Sequence, residues 1–362
     1  MRKGRGALSN SESRYVKTTS VREDDGWSSL QNYVDERDAE KLKTTLYVDR
    51  TRTLIAKNTS PDIPFSQSIN PYKGCEHGCI YCFARPTHAY LDLSPGIDFE
   101  TKIFRKTEPR LHLLRELGRR NYQCSVIAMG TNTDPYQPYE QSQRVTREVL
   151  ETLLELQHPV SIVTKSKLIL RDLDLLAELA QQNLLHVNIS VTTLSNELKT
   201  KLEPRTASPA ARLRTIAELR AAGVPTGALI APIIPFVNDS ELEDLVTATA
   251  EAGAQVIKYI LLRLPHEVAP LMEEWLAEHY PQRAKRVFEA IKSARRGKAY
   301  RAEWHTRMVG EGPMADLIRI RFAKALRDVG LQDASFPPLS TDLFVPPVVP
   351  KPGAEGQLSL FG

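Results

Sequence analysis

The chain has 362 residues, a formal net charge of +4 and a hydrophobic fraction of 41%. This length and composition suffice for a full hydrophobic core, so we expect one large domain with appended segments. No apolar run is long enough to cross a bilayer, and the basic amino terminus lacks the apolar stretch of a secretory signal. We therefore expect a cytoplasmic protein without a membrane partner.

The cysteines indicate metal binding. Cys75, Cys79 and Cys82 lie within eight positions of one another, whereas the fourth cysteine, Cys124, stands alone. A secreted protein held together by disulfides would carry more cysteines, spread along the chain. Tight clustering in a reducing compartment favours metal ligation.

The basic residues are concentrated in one stretch, with eight lysines and arginines between Arg283 and Arg301. Such a stripe could face nucleic acid. The same charges are also ordinary on the solvated face of a helix, and charge alone favours that interpretation.

The amino-terminal 60 residues are polar and of mixed charge, and we expect most of residues 1–50 to form a tail. From about residue 65, short β-branched or aliphatic runs alternate with helical patterns. The predicted strands are 66–71, 125–130, 160–164, 186–192, 226–231 and 255–261.

Helical periodicity separates these strands, at 141–156, 172–182 and 209–222, and a further helix begins at Asp239 or Ser240. Parallel neighbouring strands require crossover connections, so the alternation predicts an α/β fold with a parallel sheet covered by helices. Periodicity leaves open whether the sheet is flat or curled into a partial barrel.

After residue 264 the pattern is helical to about residue 328, and a Pro-rich linker, expected to be extended, follows. Four regions are predicted in this way. They are a polar segment over 1–60, a core over 61–265, a helical extension over 266–330 and a Pro-rich tail over 331–362.

The three clustered cysteines have the spacing C-x3-C-x2-C and follow the first predicted strand. Parallel α/β folds carry their chemistry at the carboxyl edge of the sheet, where this motif belongs. Three thiolates would leave one iron of a cubane cluster open to an external ligand. A structural zinc ion is the alternative, and it would require His77 or His88 as a fourth ligand.

The motif, with aromatic Tyr81 before the third cysteine, resembles the radical S-adenosylmethionine (SAM) superfamily. This resemblance implies a [4Fe–4S] cluster on the three cysteines, whose open iron binds the amino and carboxylate groups of SAM. It further implies a 5′-deoxyadenosyl radical that abstracts a substrate hydrogen, and an external electron donor. The family fold, a partial (β/α)6 barrel, accommodates six predicted strands.

Over about residues 65–260 the chain resembles the spore photoproduct lyase group within this superfamily. The matching segments are 130–138, 163–165, 189–191, 203–206 and 230–232. By this resemblance, Thr133, Lys165, Ser190 and Ala231 match positions that bind SAM. Each residue also has an ordinary structural interpretation, such as a turn, an exposed loop lysine or a buried hydroxyl bonded to backbone.

Two positions depart from the lyase pattern. Thr131 stands where the lyase carries its hydrogen-donating cysteine, and Phe83 replaces one of the two tyrosines beside the third cysteine. Cys124 is near in sequence but precedes the strand. The resemblance therefore does not imply thymine-dimer reversal, and catalytic residues stay unassigned. Arg212 is a candidate for binding the cofactor carboxylate, although a surface arginine is the ordinary expectation.

The last residues form a second motif. Gln357-Leu358-Ser359-Leu360-Phe361 resembles the short segment by which bacterial repair and replication proteins bind the DNA sliding clamp. Extended tails suit such contacts, since they provide reach without stable structure to break. The alternative is a hydrophobic end that packs back on the domain.

Three functions remain open from the sequence. The first is a radical enzyme acting on DNA or a nucleotide, for example in repair. The second is a radical enzyme that modifies a protein or a small molecule. The third is a non-enzymatic adaptor that carries a cluster or zinc and binds the sliding clamp.

Overall fold

The computed structural model describes residues 5–11, 13–15 and 42–348. The predictions for most of the amino-terminal tail and for the clamp-like motif at 357–361 lie outside the described residues. None of the described helices has the length and apolar character needed to cross a membrane.

The core is a seven-stranded sheet. Its strands are β2 (Ile55–Lys57), β3 (Gln67–Ile69), β6 (Ile127–Met129), β7 (Val160–Thr164), β8 (Leu185–Ser190), β9 (Thr226–Ile233) and β10 (Ile257–Leu261), and its order is β10-β9-β8-β7-β6-β3-β2. The six strands β3 and β6 to β10 are parallel, and β2 runs antiparallel to β3 at the edge. These six strands confirm the six predicted from sequence.

A smaller sheet contains β1 (Thr45–Asp49), β4 (Tyr72–Lys73) and β5 (Lys102–Lys106) in the order β1-β5-β4. The helices are α1 (Ile97–Thr101), α2 (Pro109–Leu117), α3 (Glu140–Gln143), α4 (Val145–Glu155), α5 (Leu173–Gln181), α6 (Asn196–Leu202), α7 (Pro209–Ala221), α8 (Leu242–Glu251), α9 (Val268–His279), α10 (Ala284–Ser293) and α11 (Pro313–Asp328). Short 3-10 helices occur at Arg85–Leu91, Lys167–Asp172 and Asp239–Glu241. The α/β class with a helical carboxyl-terminal extension is thereby confirmed.

The hydrophobic core lies on the strands and on the helices that cover them. Ile127, Val160, Val187 and Ile230 on successive strands are fully buried. Apolar residues recur along these strands because helices cover a parallel sheet on both faces.

The helix predicted over 141–156 is divided into two. Arg144 has a left-handed backbone with φ of 52°, which ends α3 before α4 begins. The buried Glu140 carboxylate accepts the backbone N–H of Thr146 at 3.0 Å. A side chain of α3 therefore caps the amino terminus of α4.

The predicted tail over residues 1–50 is wrong for the segment that the structure describes near its end. Thr45–Asp49 forms β1 and pairs in parallel with β5. Asp49, the charged residue of this strand, is buried and lies 3.1 Å from the Lys73 amine and 3.2 Å from that of Lys106, so its charge is paired rather than solvated.

The Pro-rich segment predicted as an extended linker contains no regular helix or strand, but it packs on the domain up to residue 345. The ring of Phe336 stacks on His186 with 4.3 Å between centroids, and Phe344 packs edge-on against His158 at 5.1 Å. The backbone N–H of Val345 donates to the carbonyl of Leu156 at 2.9 Å. These partners lie at the amino ends of β7 and β8, so the Pro-rich segment covers the amino edge of the sheet.

Candidate cluster and cofactor site

The cysteine loop follows β4 at the carboxyl edge of the main sheet. Its backbone is held by two remote bonds, from Cys75 N–H to the carbonyl of Phe99 at 2.9 Å and from Ile80 N–H to that of Leu202 at 3.0 Å. Gly78 has φ of +67°, and a Cβ added there would lie 2.8 Å from the Glu100 carboxylate. Glycine is therefore required between the first two cysteines.

All cysteines of the described residues are free thiols. Burial raises the pKa of Cys79 to about 12, and the charges of Glu203 and Cys82 add to this. Burial likewise raises the pKa of Cys75, with contributions from Asp134, Cys79 and Cys82. A positive metal centre would favour the thiolate forms that burial and these neighbouring charges oppose.

These thiols fit a cluster better than a single ion. Within the described ranges, no group of three or more His, Cys, Asp or Glu side chains could hold one metal ion. A cubane is bound through a different iron by each thiolate, so its cysteines stand farther apart than ligands around one zinc ion. Three converging soft thiols suit a [4Fe–4S] cluster with one open iron.

Neither histidine considered as a fourth zinc ligand is positioned as one. His77 Nδ1 lies 3.2 Å from the Asp134 carboxylate, and His88 Nε2 lies 3.0 Å from the carbonyl of Lys102. Burial lowers the pKa of His88 to about 4, so this imidazole is neutral at pH 7. Both rings have local partners, which is the structural role weighed from sequence.

Asp134 connects the cysteine loop to the end of β7. Its carboxylate contacts His77, accepts the Thr164 hydroxyl at 2.7 Å and accepts the backbone N–H of Lys165 at 2.8 Å. Burial opposes its ionisation, but the charge and hydrogen bond of His77 lower the pKa of Asp134 to about 2. Sequence reasoning missed this role, although Asp134 lies inside the polar run that was singled out.

The loop after β6 packs against the cysteine loop. Gly130 has φ of +85°, and a Cβ there would overlap the carbonyl oxygen of Val163. The buried Thr133 hydroxyl donates to the carbonyl of Tyr72 at 2.8 Å. The Gln137 amide accepts the N–H of Glu76 at 3.0 Å and donates to the Gly74 carbonyl at 3.2 Å.

The other predicted SAM contacts follow three neighbouring strands. Lys165 directly follows β7, and Ser190 is the last residue of β8. Ala231 is the sixth residue of β9. The Lys165 amine lies 5.9 Å from the ring centroid of Tyr81. Burial opposes its charge, but Cys79 and Glu203 together raise the pKa of Lys165. Residues distant in sequence thus meet at the edge that carries the cysteines.

A buried ion pair lies behind the cysteine loop. Glu203 accepts hydrogen bonds from the Tyr81 hydroxyl, from the Thr192 hydroxyl at 2.7 Å and from Arg212. Burial opposes ionisation, whereas Arg212 lowers the pKa of Glu203 to about 2. Arg212 also donates to the carbonyl of Ser190 at 2.9 Å. Arg212 was expected at the surface, but it is buried. Its partner Glu203 could be recognised in the sequence only as part of the matching segment 203–206.

An exposed aromatic ring and a cation stand beside the third cysteine. Phe83 is 45% exposed, and the Arg263 guanidinium carbon lies 4.9 Å from its ring centroid. Arg263 also lies 3.4 Å from the Tyr300 hydroxyl. No carboxylate of the described chain forms a salt bridge with Arg263.

Residues 69–248 match the family model described as the radical SAM superfamily. This chain belongs to the radical SAM superfamily. It is therefore a radical SAM enzyme, and the cofactors of the family are a [4Fe–4S] cluster and SAM. Membership excludes the hypothesis of a non-enzymatic adaptor.

Similar proteins extend this radical SAM assignment without naming a substrate. An uncharacterized protein of Mycobacterium tuberculosis is 39% identical over 229 residues, covering 63% of this chain and 67% of that protein. One from Methanocaldococcus jannaschii is 29% identical over 173 residues, covering 48% and 62%. Spore photoproduct lyase complexed with dinucleoside spore photoproduct superposes with a TM-score of 0.56 at 15% identity, covering 81% and 82%. At this identity, the superposition shows the fold alone.

Proposed function

We propose that this radical SAM enzyme acts on DNA or a nucleotide, in the manner of a repair enzyme, at the carboxyl edge of its sheet. The proposed cluster ligands are Cys75, Cys79 and Cys82, and the proposed SAM contacts are Thr133, Lys165, Ser190 and Ala231. When bound, the cluster and SAM supply a 5′-deoxyadenosyl radical after an external donor delivers an electron. The catalytic core proposed here is residues 61–265.

The protein's own residues support this arrangement by fixing charge. Lys165 is available to pair with the SAM carboxylate, because no described residue forms a salt bridge with its amine. Asp134 holds the Lys165 backbone at 2.8 Å, which orients the side chain at the end of β7. Glu203 and Arg212 neutralise each other behind Tyr81, so this part of the site carries no free charge.

The observation that carries the substrate class is the contact of Arg263 with Phe83 and Tyr300. A guanidinium without a carboxylate partner is suited to a phosphate, and an exposed aromatic ring such as that of Phe83 is suited to stacking on a base. The Arg263–Phe83 pair adjoins Cys82, so a base placed there would be next to the proposed cluster. The structurally similar lyase in complex with a dinucleoside photoproduct supports the same class.

The test measures 5′-deoxyadenosine release by the anaerobically reconstituted enzyme with and without oligonucleotides, both undamaged and ultraviolet-damaged. DNA is expected to stimulate release, and Arg263→Gln is expected to weaken DNA binding and reduce its salt slope by about 1. Arg120→Gln is the matched control, since Arg120 is exposed and precedes β6 at the amino edge. Equal release with and without DNA, and unchanged binding in Arg263→Gln, would overturn the proposal.

A protein or small-molecule substrate is the second candidate. It is favoured by Thr131 and Phe83, because these residues do not reproduce the hydrogen-return residues of the lyase. With such a substrate, SAM cleavage should be slow and should not change when DNA is added. Peptides or metabolites should stimulate it.

We also propose that Gln357, Leu358, Ser359, Leu360 and Phe361 bind the bacterial sliding clamp. The motif follows a Pro-rich segment whose last described residues are held at the amino edge, where the N–H of Val345 donates to the carbonyl of Leu156. Removing residues 357–361, or replacing Leu360 and Phe361 by alanine, should abolish recovery of the enzyme on immobilised clamp. Equal recovery of intact and shortened chains would show that the enzyme does not bind the clamp through this motif.

A further inference from the structure

The first described residues of the chain lie against the cysteine loop. Residues 5–11, which we call the amino-terminal arm, follow the outer side of residues 75–100. Gly6 is so close to the loop that a Cβ added to it would overlap the carbonyl oxygen of Gly78. Ala7 is fully buried in the same cluster as Cys79 and Ile80.

The arm is bound through one buried carboxylate. Glu100 accepts the backbone N–H of Gly6 at 3.0 Å and that of Ala7 at 2.9 Å. The same carboxylate pairs with Arg85 at 2.5 Å, and both side chains are completely buried. Arg85 in turn donates to the carbonyl of Cys79 at 2.9 Å. A continuous chain of charge-assisted hydrogen bonds therefore joins the arm to the backbone of a proposed cluster ligand.

Arg5 makes a second connection. Its guanidinium donates to the carbonyl of Glu100 at 2.7 Å, to that of Leu42 at 2.6 Å and to the Thr44 hydroxyl at 2.9 Å. The Thr44 hydroxyl donates to Glu76 at 2.7 Å, and Glu76 lies between the first cysteine and His77. Arg5 thus joins residues 42–44 to Glu100 and, through Thr44, to Glu76 of the cysteine loop.

We infer that the amino-terminal arm positions the cluster and shields it, with Arg5 and Gly6 as positioning residues. The cysteine loop has two glycines with positive φ, so its shape depends on contacts with other segments. The arm adds to the contacts from Phe99, Gln137 and Leu202, and it covers the outer face of Gly78 and Ile80. This role goes beyond the proposed function, because it concerns the cluster and not the substrate.

The experiment uses the full chain, reconstituted without oxygen, as the parent and as Gly6→Ala, Arg5→Gln and Arg5→Lys. It measures iron and sulfide per chain, the electron paramagnetic resonance spectrum and midpoint potential of the cluster, and the rate of cluster loss in air. Arg110→Gln is the matched control, since Arg110 pairs with Glu155 at the surface.

Gly6→Ala and Arg5→Gln are expected to lose the cluster severalfold faster in air and to shift its spectrum or potential. Arg5→Lys should be intermediate, because it keeps the charge but cannot reach all three acceptors at once. Arg110→Gln should match the parent. If Gly6→Ala precipitates, the two Arg5 variants decide the outcome. A parent-like spectrum, potential and rate of loss in the soluble variants would overturn the inference, whatever the response to DNA.

Discussion

The two edges of the main sheet are built from different chemistry. At the carboxyl edge, buried ionisable side chains lie close together, as in the pairs Glu203–Arg212, Glu100–Arg85 and His77–Asp134. At the amino edge, aromatic rings from the Pro-rich segment pack on His158 and His186. Burial lowers the pKa of both histidines to about 4, so these rings are neutral at pH 7.

This contrast separates function from stability. A buried ion pair is weak evidence for stability, because desolvation offsets much of its attraction, so several such pairs at one edge indicate a functional site. Apolar and neutral contacts at the amino edge stabilise without such a cost. The comparison predicts that substitutions at the carboxyl edge change the cofactors or leave a buried charge unpaired, whereas substitutions at the amino edge change only the free energy of unfolding.

The largest effect is expected at the cysteines of the carboxyl edge. Replacing Cys75, Cys79 or Cys82 singly by alanine removes one proposed cluster ligand, so iron content should fall sharply and 5′-deoxyadenosine release should drop to background. Cys124→Ala is the matched control, because this half-buried thiol precedes β6. A Cys79→Ala variant with parental iron content and SAM cleavage would contradict the proposed role of the carboxyl edge in holding the cofactors.

Glu203→Gln should destabilise the fold strongly. It leaves Arg212 buried without its counter-charge, so the free energy of unfolding is expected to fall by ~3–5 kcal/mol. Urea denaturation of the metal-free chain measures this. Glu311→Gln breaks the more exposed pair with Arg296 and should change the free energy of unfolding little, because solvent screens that pair. Equal losses in the two variants would show that the buried pair has no special role.

Phe344→Ala tests the amino edge. Loss of its packing on His158 and Tyr122 should lower the free energy of unfolding by ~1–3 kcal/mol, because the ring is only partly buried. SAM cleavage by the reconstituted enzyme should be unchanged at a temperature where the variant is folded. Val348→Ala, at a 96% exposed side chain, is the control. Lost cleavage in folded Phe344→Ala would contradict the separation of the two edges.

The smallest effect is a pH dependence. His158 and His186 have pKa values of about 4 in the fold, below the ordinary value of about 6.5, because of burial. The unfolded chain therefore binds protons first, so stability is complete above about pH 6.5 and falls as the pH drops toward about 4.

At about pH 5.5, each of these two imidazoles should lower the free energy of unfolding by ~1 kcal/mol. Comparing the free energy of unfolding at about pH 7.5 and about pH 5.5 checks this. His158→Gln should show a smaller loss than the parent, and the exposed His305→Gln should match the parent. An identical loss in all three proteins would refute the assignment.

The sequence was most informative where a local pattern decides the structure. The six parallel strands were predictable because each is a short aliphatic run between helical patterns. Cys75, Cys79 and Cys82 were equally visible, since their spacing alone indicates a shared metal site. The carboxyl-edge location of Lys165, Ser190 and Ala231 followed from the ends of the predicted strands.

The parts that escaped prediction depend on contacts between distant residues. Nothing local to Arg5 shows that it bonds to Glu100, 95 positions away. Arg212 has the sequence context of a surface helix, and only the fold brings it to Glu203. Phe336 and Phe344 lie among prolines that are typical of a linker, so their packing on the amino edge could not be read from composition.

The most direct test measures whether hydrogen is transferred from DNA to 5′-deoxyadenosine. The reconstituted enzyme is given SAM, a reductant and ultraviolet-damaged DNA isolated from cells grown in deuterated medium, and 5′-deoxyadenosine is analysed by mass spectrometry. If the radical formed at the cysteine edge acts on DNA, deuterium appears in 5′-deoxyadenosine with the parent and is reduced in Arg263→Gln. Release of 5′-deoxyadenosine at the same rate but without deuterium would contradict the account.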